Sequence, residues 1–257
     1  MTQGGKKLIK LITFDAFGTL FKPRGSIGAQ YASEAQRRGI PLSKESVKKS
    51  FSHAIRHQVQ HYPNYGSKQG GKMTSKEWWR QVVKRTFVDA GASPKALEPV
   101  FDEMFTTLYE RFASAEGYDL FEDSVPVLAE LHRRKFKIGV VSNSDERISQ
   151  VLASLNLTQY LDFIVLSCEF GDEKPSRRIF EHALQLAGVR GHNSLHVGDD
   201  IDKDFGGARN AGMNALLIHR QTEDPPLANG DLQNDERPIV IQNLYQVLEY
   251  LPDSPPA

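Results

Sequence analysis

The stretch ITFDAFGTLF, residues 12–21, decides the fold. Its beginning continues an apolar run, KLIKLITF (residues 7–14), which stops abruptly at Asp15. A short apolar run that ends in a turn is typical of a strand buried on both faces of a sheet. Gly18 follows among small residues and predicts a tight turn. A carboxylate at the end of a buried strand makes Asp15 the first candidate functional residue.

Downstream of Tyr118 the sequence alternates between helical and strand patterns. The predicted helices cover 124–134, 146–155, 176–188, 204–211 and 242–250. The predicted strands cover 136–142, 163–167, 195–197 and 214–218, and a polar loop is predicted at 221–238. Such alternation predicts a parallel sheet with helices on both faces. The predicted fold class is therefore α/β, with a Rossmann-like, doubly wound parallel sheet.

Between the first strand and this alternating region lies a long segment with helical patterns and no convincing strand. One of its helices is announced by the capping box TSKE at 74–77. We therefore predict an α/β core domain made of residues 1–24 and 116–257, interrupted by an all-helical cap domain of residues 25–115. The segment PNYGSKQGGK, 63–72, is interpreted either as a flexible loop or as a mobile element over the active site.

Composition limits the function further. The chain has 257 residues, 39% of them apolar and 25% charged, which is the mix of a soluble globular protein. Lys and Arg number 32 and so do Asp and Glu, and this balance argues against non-specific binding to nucleic acid or to an anionic membrane. Cys168 is the one cysteine, which excludes an intrachain disulfide and favours a reducing, cytoplasmic compartment. The sequence gives no indication of the oligomeric state.

Ligands of open parallel sheets bind at the carboxyl ends of the strands. The polar residues that follow the predicted strands there are Asp15, Ser142, Asn143, Lys174, Asp199, Asp200, Asp202 and Asp204. Carboxylates that share a cleft favour proton uptake unless a cation neutralises them. A few carboxylate oxygens, completed by water and phosphate, suit Mg²⁺. In such a site Asp15 would attack phosphorus, Lys174 would offset charge and Ser142 would hold phosphoryl oxygens.

Four segments, in order and at matching spacing, resemble the four motifs of the haloacid dehalogenase superfamily. They are DAFGT (15–19), VVSNS (140–144), EKP (173–175) and GDDIDKDFGGARNAGM (198–213). The helical insert between the first and second motifs resembles the C1-type cap of that superfamily. NYG (64–66) and TSKEWWRQVVKRTFVDAGA (74–92) further resemble the subfamily of haloacid-dehalogenase-like hydrolase domain-containing protein 3.

The resemblance implies a hydrolase with a Mg²⁺ site. The implied metal set is Asp15, the backbone carbonyl of Phe17, Asp199 and Asp204. The implied catalytic set is Asp15 as nucleophile, Ser142 and Asn143 at the phosphoryl group, and Lys174 between nucleophile and phosphoryl. The structural alternatives are a turn for Asp15, a helix entry for the acidic cluster, and helix capping for Ser142 and Asn143.

Phe17 departs from the superfamily pattern. Its phosphatases usually carry an Asp two residues after the nucleophile, where it acts as general acid and base. An aromatic residue there resembles the 2-haloacid dehalogenases, which work without metal and lack the acidic fourth motif that is present here. A general acid or base typically contributes about 10²–10⁴-fold to the rate, so Phe17 predicts slow hydrolysis.

Three functions are therefore kept open. The favoured one is a Mg²⁺-dependent phosphatase of a small phosphorylated metabolite, weakened by Phe17. The second is a 2-haloacid dehalogenase, in which Asp15 would attack carbon and a basic cap residue would hold the halide. Arg37 and Arg38 lie in the first helix of the predicted cap, but nearer to Asp15 in sequence than the halide arginine of that family. The third is a binding or scaffold protein with residual chemistry on the same frame.

Overall fold

The computed structural model describes residues 8–69, 73–220 and 237–255. Most of the loop predicted at 221–238 lies outside the described residues, as do residues 70–72 of the segment predicted at 63–72. The described chain divides into two compact units. The first holds the residues up to Lys22, Leu120–Asn143 and those from Asn156 onwards; the second holds Pro23–Asp119 and Ser144–Leu155.

The strands of the described residues are β1 (Leu11–Phe14), β2 (Phe21–Pro23), β3 (Tyr118–Leu120), β4 (Lys137–Ser142), β5 (Phe163–Leu166), β6 (Ser194–Gly198), β7 (Asn214–Ile218) and β8 (Val240–Ile241). Six of them form one sheet in the order β5-β4-β1-β6-β7-β8, with every neighbouring pair parallel. The strand order reverses at β1, which lies between β4 and β6. The predicted α/β class is confirmed, and the switch point falls at the strand that precedes Asp15.

The α-helices of the described residues are α1 (Ile27–Arg37), α2 (Lys44–His61), α3 (Ser75–Asp89), α4 (Pro94–Leu97), α5 (Phe101–Arg111), α6 (Ser124–Arg133), α7 (Arg147–Ser154), α8 (Ser167–Phe170), α9 (Arg177–Ala187), α10 (Gly207–Asn210) and α11 (Tyr245–Tyr250). None of the helices in these described segments is long and apolar enough to cross a membrane.

The core of the first unit lies between the sheet and its helices. All four residues of β1 are buried, as a central parallel strand requires. α9 turns an apolar face, which includes Ile179 and Phe180, toward sheet residues such as Val141. Each fully buried side chain of this size contributes about 1.5–3 kcal/mol. This packing fixes the strands whose ends carry the candidate site.

Three predicted elements begin three or more residues away from where the structure places them. The first strand, predicted from residue 7, begins at Leu11. The last helix, predicted from 242, begins at Tyr245, because residues 242–244 form its entry and the Gln242 amide bonds to a side chain of the first turn. The helix predicted at 204–211 is a π-helical turn, Ile201–Gly206, followed by the single turn of α10.

The second unit is built from α1–α5 together with α7. The predicted capping box of α3 is confirmed: Thr74 and Glu77 exchange side-chain to backbone hydrogen bonds. Within residues 26–115, the structure assigns helices and turns but no strand to the described part. The amphipathic helices bury one face each against their neighbours.

The segment Ser144–Leu155 belongs to the second unit, whereas the predicted cap boundaries of 25–115 do not contain it. Arg147 explains this grouping. Its guanidinium forms two hydrogen bonds with Asp145, of 2.9 and 2.7 Å, and lies 4.7 Å from the ring centroid of Trp79 and 4.4 Å from that of Tyr109. A buried cation between two aromatic faces is a strong contact, and it joins α7 to α3 and α5.

Candidate active site

Asp15 emerges from β1 at the carboxyl edge of the sheet. The register pairs Phe14 with Val140 on one side and with Val197 on the other, so Asp15 comes out beside the ends of β4 and β6. The Asp15 amide donates to the Val197 carbonyl at 2.9 Å, which continues the sheet by one more bond. The side chain is buried, and it therefore meets other groups of this edge rather than solvent.

Three carboxylates meet at this edge. One oxygen from each of Asp15, Asp199 and Asp204 lies within 4.8 Å of the other two, and no second group of this kind occurs among the described residues. Asp200 and Asp202 do not belong to it; the Asp200 side chain instead accepts from the backbone amides of Asp202 and Lys203. The structure thus gathers three of the predicted acids.

Lys174 supplies the positive charge of the cluster. Its Nζ atom donates to Asp15 Oδ1 and to Asp204 Oδ1, both at 2.6 Å, and the side chain is buried. Asn143 holds the lysine in place, because its amide donates to the Lys174 carbonyl at 2.8 Å and accepts from the Lys174 amide at 2.7 Å. The side chain of Asn143 therefore holds the backbone of Lys174. Ser142, which precedes Asn143 in the chain, is the buried last residue of β4.

Two glycines make room for the acids. A Cβ on Gly198 would lie 2.2 Å from Cγ of Asp204, and a Cβ on Gly18 would lie 2.3 Å from Oδ2 of Asp199. Gly18 also has a φ of +82°, a conformation that side chains disfavour. The π-helical turn after β6 brings Asp204 back over Gly198, and the Asp200 amide donates to Asp204 Oδ2 at 3.0 Å. Such turns are frequent at functional sites.

Sequence reasoning missed a buried pair behind the acids. Thr13 and His196 face each other in the register of β1 and β6, and their Oγ1 and Nδ1 atoms are 2.8 Å apart. His196 Nε2 lies 3.1 Å from Asp204 Oδ1. A neutral ring with its proton on Nε2 donates to Asp204 and accepts from Thr13. The available signal was the presence of polar residues inside two otherwise apolar strands.

Burial and charge shift the titration of these groups. Burial raises the pKa of Asp15, although the ammonium of Lys174 partly opposes the rise. Burial, together with the charges of Asp15 and Asp204, raises the pKa of Asp199 to about 8. Burial alone would raise the pKa of Asp204 too, but Lys174 and the hydrogen bond from His196 outweigh it and hold that pKa below its usual value. Burial lowers the pKa of His196 and keeps the ring neutral.

The residues of this edge fit a divalent cation. Three carboxylates and one ammonium leave two negative charges when all are ionised, which a divalent ion balances. The donors are hard oxygens, and Mg²⁺ typically takes one or two carboxylates and keeps several waters. The raised pKa of Asp199 reflects its burial and, next, the repulsion from Asp15 and Asp204 that such an ion would relieve.

Phe17 places no titratable group at the site. The residue is 43% exposed, and its ring lies nearly perpendicular to that of Phe21, with the two ring centroids 6.4 Å apart. The backbone of Phe17 forms a bridge with that of Phe21, so the turn after Asp15 is closed by main-chain contacts rather than by packing of the Phe17 ring.

Comparison with known proteins identifies the family of this chain. A family model described as haloacid dehalogenase-like hydrolase matches residues 9–212. Haloacid dehalogenase-like hydrolase domain-containing protein 3 of Mus musculus is 37% identical over 211 residues, which are 82% of this chain and 82% of the mouse protein. The chain therefore belongs to the haloacid dehalogenase-like hydrolase family.

Solved structures of this family share the fold. The HAD phosphatase from Thermococcus onnurineus is 21% identical, covers 96% of this chain and all of its own, and has a TM-score of 0.60. The 2-haloacid dehalogenase from Pseudomonas syringae is 25% identical, covers 94% of this chain and 97% of its own, and has a TM-score of 0.61. These two structures, whose names give different activities, thus resemble this chain to a similar degree.

Proposed function

We propose that this haloacid dehalogenase-like hydrolase is a Mg²⁺-dependent phosphatase of a small phosphorylated metabolite, with turnover limited by Phe17. The observation that carries the proposal is the group of three carboxylates, Asp15, Asp199 and Asp204, around the ammonium of Lys174. A metal-independent displacement at carbon needs one nucleophilic carboxylate, whereas the two further acids suit an ion that holds a phosphoryl group.

In the proposed reaction an Asp15 oxygen attacks phosphorus. The bond from phosphorus to the ester oxygen breaks, the alkoxide or aryloxide leaves and takes its proton from water, and an aspartyl phosphate forms. Water then attacks that phosphorus, which releases inorganic phosphate and restores the carboxylate. Lys174 and the Ser142 hydroxyl stabilise the charge on the phosphoryl oxygens. Bound at Asp15, Asp199 and the Phe17 carbonyl, with Asp204 alongside, Mg²⁺ would supply the remaining neutralisation.

Phe17 sets the expected substrate preference. It cannot give a proton to the leaving oxygen or take one from the attacking water. The aryloxide of an aryl phosphate leaves without protonation, whereas the alkoxide of an alkyl phosphate needs a proton to leave. Turnover of p-nitrophenyl phosphate should therefore be weak, and that of alkyl phosphates weaker still, within the roughly 10²–10⁴-fold that a general acid or base supplies.

The test measures phosphate release from a panel of phosphorylated metabolites, with Mg²⁺ and with EDTA. Wild type should release phosphate only with Mg²⁺, and Asp15→Asn should not release it. Asp202→Asn is the matched control, because Asp202 is an exposed acid two residues from Asp204 and outside the cluster. Phosphate binding without any turnover would favour the binding-protein alternative instead.

Dehalogenation of 2-haloacids is the second candidate. Phe17 favours it, since an aromatic residue at this position resembles the dehalogenases. Against it, Arg38 is already engaged: its guanidinium contacts Glu34, lies 3.1 Å from Glu103 Oε1 and 3.2 Å from Thr107 Oγ1. Halide release from 2-chloropropionate in EDTA, lost in Asp15→Asn, would establish this activity and overturn the phosphatase proposal.

A further inference from the structure

The turn that follows Asp15 is held by hydrogen bonds between its own residues and by hydrogen bonds from side chains elsewhere in the chain. Inside it, the Leu20 amide donates to the Ala16 carbonyl and the Gly18 amide donates to the Phe21 carbonyl, each at 2.8 Å. On its far side, the Ser124 hydroxyl donates to the Leu20 carbonyl at 2.6 Å. This turn, residues 16–21, carries the Phe17 carbonyl that the proposed function assigns to the metal.

Arg220 provides a second outside anchor. It lies two residues beyond β7, at the same carboxyl edge of the sheet. One terminal nitrogen donates to the Thr19 carbonyl at 2.6 Å, and the other donates to Asp123 Oδ2 at 2.9 Å. The guanidinium carbon lies 3.8 Å from the centroid of the Phe121 ring. The planar guanidinium thus meets a carbonyl, a carboxylate and an aromatic face at once, which a lysine cannot do.

The contacts of Arg220 are buried and shared with the end of the chain. The side chains of Arg220 and Asp123 are 9% and 5% exposed, so their pairing is little screened by solvent. The other donor to the same Asp123 oxygen is the Leu244 amide, at 2.7 Å, at the entry to α11. Asp123 therefore fixes the guanidinium, and the guanidinium fixes Thr19, which is two residues from Phe17.

We infer that Arg220 is a positioning residue that holds the turn 16–21 in the geometry that the Phe17 carbonyl needs to bind Mg²⁺; this rests on the proposed function. Mg²⁺ tolerates little departure from octahedral geometry, so a small displacement of the turn weakens binding. Among the described contacts, Arg220 has none with the clustered acids Asp15, Asp199 and Asp204. Its effect on the metal site therefore passes through the backbone of Thr19.

The test compares Arg220→Met, Arg220→Lys and the double variant Arg220→Met with Asp123→Asn. The double variant removes the charge that Arg220→Met would leave buried without its partner, while an amide oxygen still accepts from the Leu244 amide. Two quantities are measured: the Mg²⁺ dissociation constant by calorimetry, and hydrogen exchange of the amides in residues 16–21. Arg134→Met is the matched control, because Arg134 is a largely buried arginine at the C-cap of α6, and its ion pair is with Glu130, four residues earlier in that helix.

We expect the Mg²⁺ dissociation constant to rise about 3–10-fold in Arg220→Met and in the double variant, and less in Arg220→Lys, with faster exchange at 18–20 and no change in Arg134→Met. Recovery of wild-type affinity and exchange in the double variant would reduce Arg220 to a structural role and overturn the inference. If wild type itself binds no Mg²⁺, the proposed function fails, and the exchange rates alone test whether Arg220 holds the turn. Unchanged exchange at residues 16–21 in Arg220→Met would then show that it does not.

Discussion

The Nζ atom of Lys174 lies 2.6 Å from Asp15 Oδ1, although the two residues are 159 positions apart in the sequence. Lys174→Met should lower phosphatase turnover by about 10²–10³-fold, because the phosphoryl oxygens lose a preorganised cation. It should also lower the free energy of unfolding, since the buried carboxylates of Asp15 and Asp204 lose their partner. Breaking a buried pair costs about 3–5 kcal/mol, and urea unfolding in EDTA measures it.

Lys203→Met is the matched control for Lys174. Lys203 pairs with Asp200 at 2.9 Å, but its side chain is 53% exposed, and such pairs contribute about 0–1 kcal/mol. Equal losses of unfolding free energy and of turnover in the two variants would contradict the role assigned to Lys174 in the site.

Asp199 should make the metal-free protein less stable as the pH rises. Its folded-state pKa, about 8, lies above its ordinary value of 3.8, so folding favours the protonated form. The stability that this group contributes is complete below about pH 4 and is lost as the pH rises through about 8. Asp199→Asn removes that loss and should raise the free energy of unfolding at pH 8.5 by ~1–3 kcal/mol relative to wild type, with little difference at pH 4.5.

Denaturant unfolding in EDTA at the two pH values measures this difference. With Mg²⁺ the order should reverse, because the ion binds the folded wild type and stabilises it, whereas Asp199→Asn lacks an ionised ligand. An Asp199→Asn protein that Mg²⁺ stabilises as much as wild type would remove Asp199 from the metal site.

The sequence predicted correctly that the residues following the strands meet, because the carboxyl ends of parallel strands lie at one edge of the sheet irrespective of loop conformation. Asp15, Lys174, Asp199 and Asp204 accordingly meet where the alternation of strands and helices placed them. The pairing of Thr13 with His196 could not be predicted in the same way, because it depends on the register of two strands that are distant in the chain.

The grouping of Ser144–Leu155 with the helical unit was also beyond the sequence. It depends on Arg147 lying between Trp79 and Tyr109, which are long-range side-chain contacts that no local pattern encodes. β8 was missed for another reason: two residues are too short for a periodic signal.

Alanine substitutions at Gly18 and Gly212 separate the effect of backbone strain from that of a steric clash with Asp199. Their φ values are +82° and +76°, so alanine strains either backbone by about 1–2 kcal/mol. A Cβ on Gly18 would meet Asp199 Oδ2 at 2.3 Å, whereas a Cβ on Gly212 would have no neighbour within 4 Å. Gly18→Ala should therefore weaken Mg²⁺ binding by ~10-fold or more, and Gly212→Ala should lower stability alone.

Calorimetric titration with Mg²⁺, at a temperature where both variants are folded, separates the two effects. Equal Mg²⁺ affinity in the two glycine variants would show that the space beside Asp199 does not matter for the ion.

Phe17→Asp should raise the turnover of phosphate esters by about 10–10³-fold, part of the range that a general acid or base supplies. Phe17 is 43% exposed, and its ring centroid lies 6.4 Å from that of Phe21, so its replacement opens no large cavity. The gain should be larger for alkyl phosphates than for p-nitrophenyl phosphate, because an alkoxide needs a proton to leave and p-nitrophenolate does not. The ratio of kcat/KM for the two substrates, in variant and wild type, measures this difference.

Phe17→Asn is the control for this gain, because it has the size and polarity of the aspartate but carries no exchangeable acid proton at neutral pH. It should leave turnover near that of wild type, with the same preference for the aryl ester. A gain of equal size in Phe17→Asn would mean that removal of the ring, rather than proton transfer, raises turnover. Brisk hydrolysis of an alkyl phosphate by wild type, with no gain in Phe17→Asp, would contradict the prediction, since another group would then supply the proton and Phe17 would not limit the reaction.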